Sequence, residues 1–304
     1  MGGRDSLRRC LRELTPQIQD QPVEILVPYD TIMEDIAILR EEFPQVQFLN
    51  LGRIATDAEA DTMQARLERF DRHMAALIAA AQGSIVSFLQ DRGVPNPDWC
   101  LQVLSAHRSL PHAVIGGGVE HTGTGALNWA VYFQDFGGFQ APLVEGPSGV
   151  LTDINVSYKK QALLRIRDLW KIRFNEVTVN GVLRERGEVL WQNPAMIVYH
   201  DQGMVSYGSV LAERFHWGRM RGAARAYQVP EWKRWVFLAL SPMVPALLLL
   251  RMGRRAFQGT RHRKAFLLSV PALASLTTVW GVGEFWGTLT RKPSPVGDGE
   301  ERME

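Results

Sequence analysis

Two aspartates stand where the chain could bind a ligand. Asp91 follows directly on the short apolar run 83–90, whose β-branched Ile85 and Val86 and small length read as a buried strand. Gly93, Pro95 and Pro97 then force a turn. The acid therefore lies just past the carboxyl end of a core strand, where open α/β sheets bind their ligands. A loop aspartate capping the helix that begins near Pro97 is the equal alternative. Asp30 repeats the arrangement after the apolar run ending Ile25-Leu-Val-Pro-Tyr29, and His200-Asp201 closes another short run, Ala195 to Tyr199. The triplet Gly116 to Gly118 after Ala113-Val-Ile115 marks a turn, or a backbone that lets a ligand come close.

The elements that must hold these residues alternate. Leu7, Cys10, Leu11 and Leu14 share one face of a helix, a strand leads to Asp30, and a helix follows over roughly 33–42. Val46 to Leu51 gives a second strand, and a long helix is expected from Asp57 to Ala81 ahead of the strand that ends at Asp91. Helices are also expected from Pro97 to about Arg108, over Ala126 to Phe133, over 159–169 and over 174–186, with strands at 151–158, 189–191 and 195–199. This order predicts an α/β domain with a mostly parallel sheet.

Composition narrows the partners. The 304 residues carry 34 Lys and Arg against 32 Asp and Glu, a net charge of +2, so no global basic field argues for nucleic acid. Cys10 and Cys100 lack metal-type spacing and read as reduced thiols of a cytoplasmic domain. The first twenty residues are polar with four arginines, so no secretory leader is expected there. Apolar mass concentrates instead between Trp235 and Leu289.

With the acids in view, the chain from Asp5 to about Leu289 resembles the family 2 glycosyltransferases. Their catalytic domain has the nucleotide-sugar-binding GT-A fold, a Rossmann-like, mostly parallel sheet flanked by helices. The match is similar to a bacterial membrane-associated subgroup with a hydrophobic C-terminal tail. Glu24-Ile-Leu-Val-Pro-Tyr-Asp30 resembles the strand whose terminal acid contacts the nucleoside. The stretch from Ala81 to Trp99 resembles the block that delivers acids to a divalent metal and the diphosphate. By that resemblance Asp91 binds the nucleotide-sugar diphosphate and a divalent metal (Mg2+ or Mn2+), which would neutralise the departing phosphates. Gln90 stands where an acid is usual, and Arg92 stands where a third polar or acidic residue is common and could pair with phosphate.

The resemblance also implies that Glu176, in Asn175-Glu176, is the general base of an inverting transfer, in place of the usual aspartate. A helix N-terminal glutamate favoured by the dipole is the alternative. Asn155 of Asn-Val-Ser-Tyr158 resembles a sugar-side or acceptor-side asparagine, and His200 a histidine that completes the metal or diphosphate site. The family's first strand would precede Asp5, where only Met1-Gly-Gly-Arg4 stand, which would leave a parallel neighbour unpaired.

Arg214, Arg219, Arg221 and Arg225, interleaved with Phe215, Trp217 and Met220, suit a membrane interface first and a phosphate second. The domains expected are a catalytic domain over 1–203, a basic interface segment over 204–234, two hydrophobic membrane segments forming a helical hairpin over 235–290, and a disordered tail over 291–304. Between the membrane segments Arg251, Arg254, Arg255, Arg261, Arg263 and Lys264 form a connector without acids, which sets spanning and re-entrant arrangements against each other. The function expected is transfer of a sugar from a UDP-, GDP- or dTDP-linked donor to a cell-envelope glycan or lipid-linked acceptor, at the cell membrane, with the catalytic domain on the cytoplasmic face. A catalytically silent scaffold of the same fold and a nucleotidyltransferase on a related sheet are the rivals.

Overall fold

The structure, a computed structural model, describes residues 3–19, 21–59, 62–203 and 206–292. The disordered tail expected over 291–304 lies, from 293 on, outside the described residues. The chain divides into two units, Met1–Thr122 with Phe139–Asp201, and Gly123–Gly138 with Gln202–Glu304. Residues 123–138, inside the catalytic domain expected from sequence, thus cluster with the C-terminal helices.

In the first unit α1 (Arg4–Leu14) precedes the strands β1 (Ile25–Tyr29) and β2 (Val46–Asn50), between which lie a 3-10 turn and the short α2 (Leu39–Glu42). Next come α3 (Met63–Ala80), β3 (Ile85–Leu89), β4 (Gly93–Pro95), α4 (Trp99–Ser109) and β5 (Val114–His121). α1 buries the four residues that its spacing places on one face, Leu7, Cys10, Leu11 and Leu14. α3 starts six residues later than the Asp57 expected from sequence, at the first residue of its apolar stripe. The Thr62 hydroxyl caps it by accepting from the Ala65 N–H, while Glu68 accepts from the backbone N–H groups of Asp57 and Ala58 and holds that segment as a loop.

After β5 the chain enters the second unit through α5 (Ala126–Asp135), then returns through the two-residue strand β6 (Gly146–Pro147) to β7 (Asn155–Lys159). The short helices α6 (Lys160–Leu164) and α7 (Arg167–Trp170), the longer α8 (Glu176–Glu185) and the eleven-residue β8 (Leu190–His200) complete the first unit.

The central sheet has the order β3-β7-β5-β8-β4, with β6 on β8, and it is mixed rather than mostly parallel. β5 and β8 run parallel, but β7 is antiparallel to both β3 and β5, and β4 is antiparallel to β8. The physical reason lies in the connections. A parallel neighbour needs a crossover packed back over the sheet, and the connection from β5 to β7 carries its helix, α5, into the second unit and otherwise holds only β6. β1 and β2 form a separate parallel pair. Their alternate residues nevertheless feed the same two core layers as β3. Ile25, Val27 and Tyr29 pack in the layer that Ile85 and Leu89 join, and Leu26 packs on the layer of Val86 and Phe88. Among the described residues no backbone ladder joins β1 to β3.

The glycine triplet is not a turn. β5 runs through it with all eight residues buried. At Gly117 a Cβ would come within 2.1 Å of the Met196 carbonyl oxygen and 2.4 Å of the Asn155 amide nitrogen. The β5–β8 register shifts here, from Gly116 opposite Gln192 to Gly118 opposite Ile197. The extra residues of β8 bulge at Asn193-Pro194-Ala195, where proline's missing N–H takes nothing from the ladder. Two short strands expected at 189–191 and 195–199 are therefore one bulged strand.

The second unit contains α5 with α9 (Tyr207–Gln228), α10 (Glu231–Leu240), α11 (Val244–Ala256) and α12 (Arg263–Thr290). α9 and α12 touch backbone to backbone through glycines. A Cβ on Gly218 or Gly222 would lie 2.2 or 2.1 Å from the carbonyl oxygens of Trp280 and Glu284, and Gly283 and Gly287 face those of Phe215 and Arg219 in return. Two stretches, Glu231–Ala256 and Arg263–Thr290, are long and apolar enough to cross a membrane. Their outer faces leave Trp232, Trp235, Leu240, Met243, Leu247, Leu250, Leu267 and Leu268 exposed.

Gly117→Ala is expected to lower stability by at least about 1–3 kcal/mol, because its neighbour is a backbone carbonyl that cannot rotate away. Gly149→Ala, where a Cβ meets nothing within 4 Å, is the control and should leave the urea midpoint unchanged.

Candidate functional site

The site grows from the ends of β3, β7 and β8 in the first unit. After β3 the Gly93 N–H bonds back to the Gln90 carbonyl at 2.8 Å, which closes the tight turn that carries Asp91 and Arg92. β4 then pairs with β8 so that Gly93 lies opposite His200, and β5 places His121 opposite His200 from the other side. Asp91, Arg92 and His200 are thereby brought to one end of the sheet. The Asp201 N–H donates to the Arg92 carbonyl at 3.2 Å and Arg9 pairs with the Asp201 carboxylate at 2.8 Å, which ties this end to α1. Burial, with Arg92 and His121 beside it, pushes the His200 imidazole down to about 4, so it is neutral at physiological pH.

Asn155 is wholly buried, and its amide is used within the fold. The oxygen accepts from the Trp99 indole at 2.9 Å, and the nitrogen donates to the carbonyls of Gly118 at 2.8 Å and Met196 at 3.0 Å. Asp30 is also buried. One oxygen accepts from the Ile32 N–H at 2.9 Å, and the other lies 3.3 Å from His73 Nε2, near enough for Coulomb attraction but off the hydrogen-bond direction. Burial holds His73 below the usual histidine range against that attraction.

The Arg residues expected to meet phosphate or membrane lie in the second unit. Arg214 is buried and forms a fork on Asp135, Arg219 donates to the Lys292 carbonyl at 3.0 Å, and Arg225 pairs with Glu284 at 2.6 Å and covers the Phe237 ring. Arg221 is exposed.

Glu176 opens α8, capped by Asn175, whose oxygen accepts from the Thr178 N–H at 3.0 Å. The preceding residue is anchored to α3 by the Phe174 N–H on the Asp71 carbonyl at 2.9 Å. Glu176 is half-buried, and its pKa is pushed up to about 7 by burial and then by the charge of Asp153, against the hydrogen bond from Asn180. A carboxyl poised there exchanges a proton readily at neutral pH.

Asp153 and Asp71 were not singled out by sequence. Burial raises Asp153 above the usual carboxylate range, against the Gln90 amide that donates to it at 3.1 Å. Burial lifts Asp71 to about 6 against the pull of Arg173, with Asp153 and Glu68 adding to the rise. The legible signal was Thr152-Asp153 at the mouth of the strand that begins at Asn155. Among the described residues no three His, Cys, Asp or Glu side chains converge to hold a metal ion. The donors near Asp91 thus do not form a ready-made cation cage.

The raised Glu176 pKa has a stability consequence. The unfolded carboxyl releases its proton near 4.5 and the folded one near 7, so stability falls as pH rises between those values and is level above. Glu176→Gln should therefore be more stable than the parent by about 1–3 kcal/mol at pH 8 and equal to it at pH 4, read from thermal unfolding at the two pH values.

No family model matches the sequence, and no curated protein matches it. Among solved structures the fold is similar to that of the mannosyltransferase PcManGT from Pyrobaculum calidifontis, in complex with GDP-Man and Mn2+. The TM-score is 0.55 at 11% identity, over 95% of this chain and 84% of that one.

Proposed function

We propose that this protein is a membrane-associated inverting glycosyltransferase that uses a nucleotide-sugar donor. The observation that carries the reading is Glu176, a half-buried carboxyl held near 7 at the start of a helix in an acidic setting. The fold it shares with a mannosyltransferase supports the same reading. In the proposed reaction Glu176 removes the proton from an acceptor hydroxyl while that oxygen attacks the anomeric carbon. The sugar–phosphate bond breaks on the opposite face, and the nucleoside diphosphate departs with the electron pair. Arg92, at the turn after β3, meets the diphosphate as a fork of donors. Asp91 orients the donor from the same turn.

The acceptor is a cell-envelope glycan or a lipid-linked sugar, a reading supported by the two apolar stretches of the second unit. The cations flanking 257–262 support a re-entrant hairpin whose connector stays on the cytoplasmic side. A second reading, a binding scaffold without catalysis, is favoured by the buried carboxylate of Asp30 and by the missing ladder between β1 and β3.

The full chain in detergent, offered UDP-, GDP- and dTDP-sugars with membrane extract and with or without Mn2+, should release nucleoside diphosphate. Glu176→Gln should reduce kcat by roughly 10²–10⁴-fold. If calorimetry detects no binding of any donor, the scaffold reading replaces the enzyme. In inside-out vesicles a protease should cleave the 257–262 connector, and protection there would establish the spanning arrangement instead.

A further inference from the structure

Glu176 is held by a directional chain of buried polar groups that runs from α8 to β7. Asn180 lies one helical turn after Glu176 on α8, and its amide nitrogen donates to Glu176 Oε1. The amide oxygen of Asn180 accepts from the Tyr158 hydroxyl at 3.0 Å. Tyr158 sits on β7 and is fully buried, and Asn180 is 5% exposed, so neither has water as an easy substitute partner. An asparagine amide can usually be turned end for end at little cost. Here it cannot, because an ionised carboxylate only accepts and so requires the NH2 end to face Glu176. The oxygen end is then turned to Tyr158, whose O–H supplies the donor. Among the described residues the Asn180 bond is the one hydrogen bond made to the Glu176 carboxylate, which leaves Oε2 for a substrate hydroxyl.

We propose that Asn180 and Tyr158 are a positioning pair that selects Oε2 of Glu176 as the proton-accepting atom and holds it toward the acceptor. This rests on the reading of Glu176 as the base. Neither residue touches substrate. Asn180 acts through Glu176, and Tyr158 acts through Asn180 by denying the amide its alternative orientation. The titratable groups whose fields reach Glu176 are Asp153, which opposes its ionisation, and Tyr158, whose hydroxyl stays protonated because burial raises it well above its ordinary range. Asn180 is the group that favours the ionised form, so its loss raises the pH at which Glu176 can accept a proton.

The test is titration of Glu176 in the full chain labelled with [5-13C]glutamate, its carboxyl resonance assigned by its loss in Glu176→Gln. Tyr158→Phe and Asn180→Ala should each move the midpoint upward, Asn180→Ala by about one pH unit and Tyr158→Phe by less. The ascending limb of kcat against pH should move by the same amount. At a pH below the midpoint, kcat for Asn180→Ala should then fall by roughly tenfold with the donor KM unchanged. Midpoints equal to the parent in both variants overturn the pair. Should Asn180→Ala fail to fold by circular dichroism, Tyr158→Phe removes one oxygen and decides alone. The resonance reads the pair whether or not sugar is transferred. A shifted midpoint in a protein without transferase activity overturns the base reading, and with it the positioning role, while showing that the Asn180 and Tyr158 bonds still set the ionisation of Glu176.

Discussion

The carboxamide of Asn155 is the constraint on which the first unit depends. Its three hydrogen bonds join β7 to β5, to β8 and to the Trp99 indole on α4, at the place where the β5–β8 register slips. A buried amide with any of these groups unpaired would cost about 1–3 kcal/mol per group, so the strands have little freedom to slide. The room for the amide comes from Gly117, where any Cβ would occupy its place. Once the register is fixed, β8 resumes beyond its bulge and delivers His200 beside the turn of Asp91 and Arg92. Two residues ahead of the amide, Asp153 is held at the strand mouth within reach of Gln90.

That contact gives a physical reason for the amide at position 90. A second carboxylate there would face Asp153 at about 3 Å in a partly desolvated setting, and one of the two would have to stay protonated. Gln90 donates to Asp153 instead and lowers the cost of its charge. Asp153 in turn opposes the ionisation of Glu176. The acid end of β3 and Glu176 on α8 are coupled through Asp153.

Much of this was legible in the sequence. The helical face of Leu7, Cys10, Leu11 and Leu14, the strands leading to Asp30 and Asp91, and the helix opened by Asn175 and Glu176 all follow from local periodicity and capping, which short segments carry by themselves. Strand direction was not legible, since β7 is antiparallel because of how residues 136–154 return to the sheet. The glycine triplet misled because turn chemistry and a crowded strand crossing both call for the same residue. Asn155 was singled out, but its partners come from three elements that no spacing rule connects. Asp153, Asn180 and Tyr158 draw their importance from one another, and a chain read in order does not show such pairs.

On the membrane-associated reading, the glycine contact between α9 and α12 would limit how deep the second unit could sit in a bilayer. The residues of α12 that meet α9, from Ser275, bonded to Tyr207, on to Gly287, lie level with a helix that carries Arg214, Arg219, Arg221 and Arg225. Glu284 is neutralised there by Arg225 and would be stranded in hydrocarbon without it. The part of α12 before Ser275, twelve residues from Arg263, reaches about 18 Å against a hydrocarbon core of about 30 Å. With this unit inserted in a bilayer as proposed, the backbone-tight seam would act as a depth stop that keeps the hydrophobic tail in one leaflet.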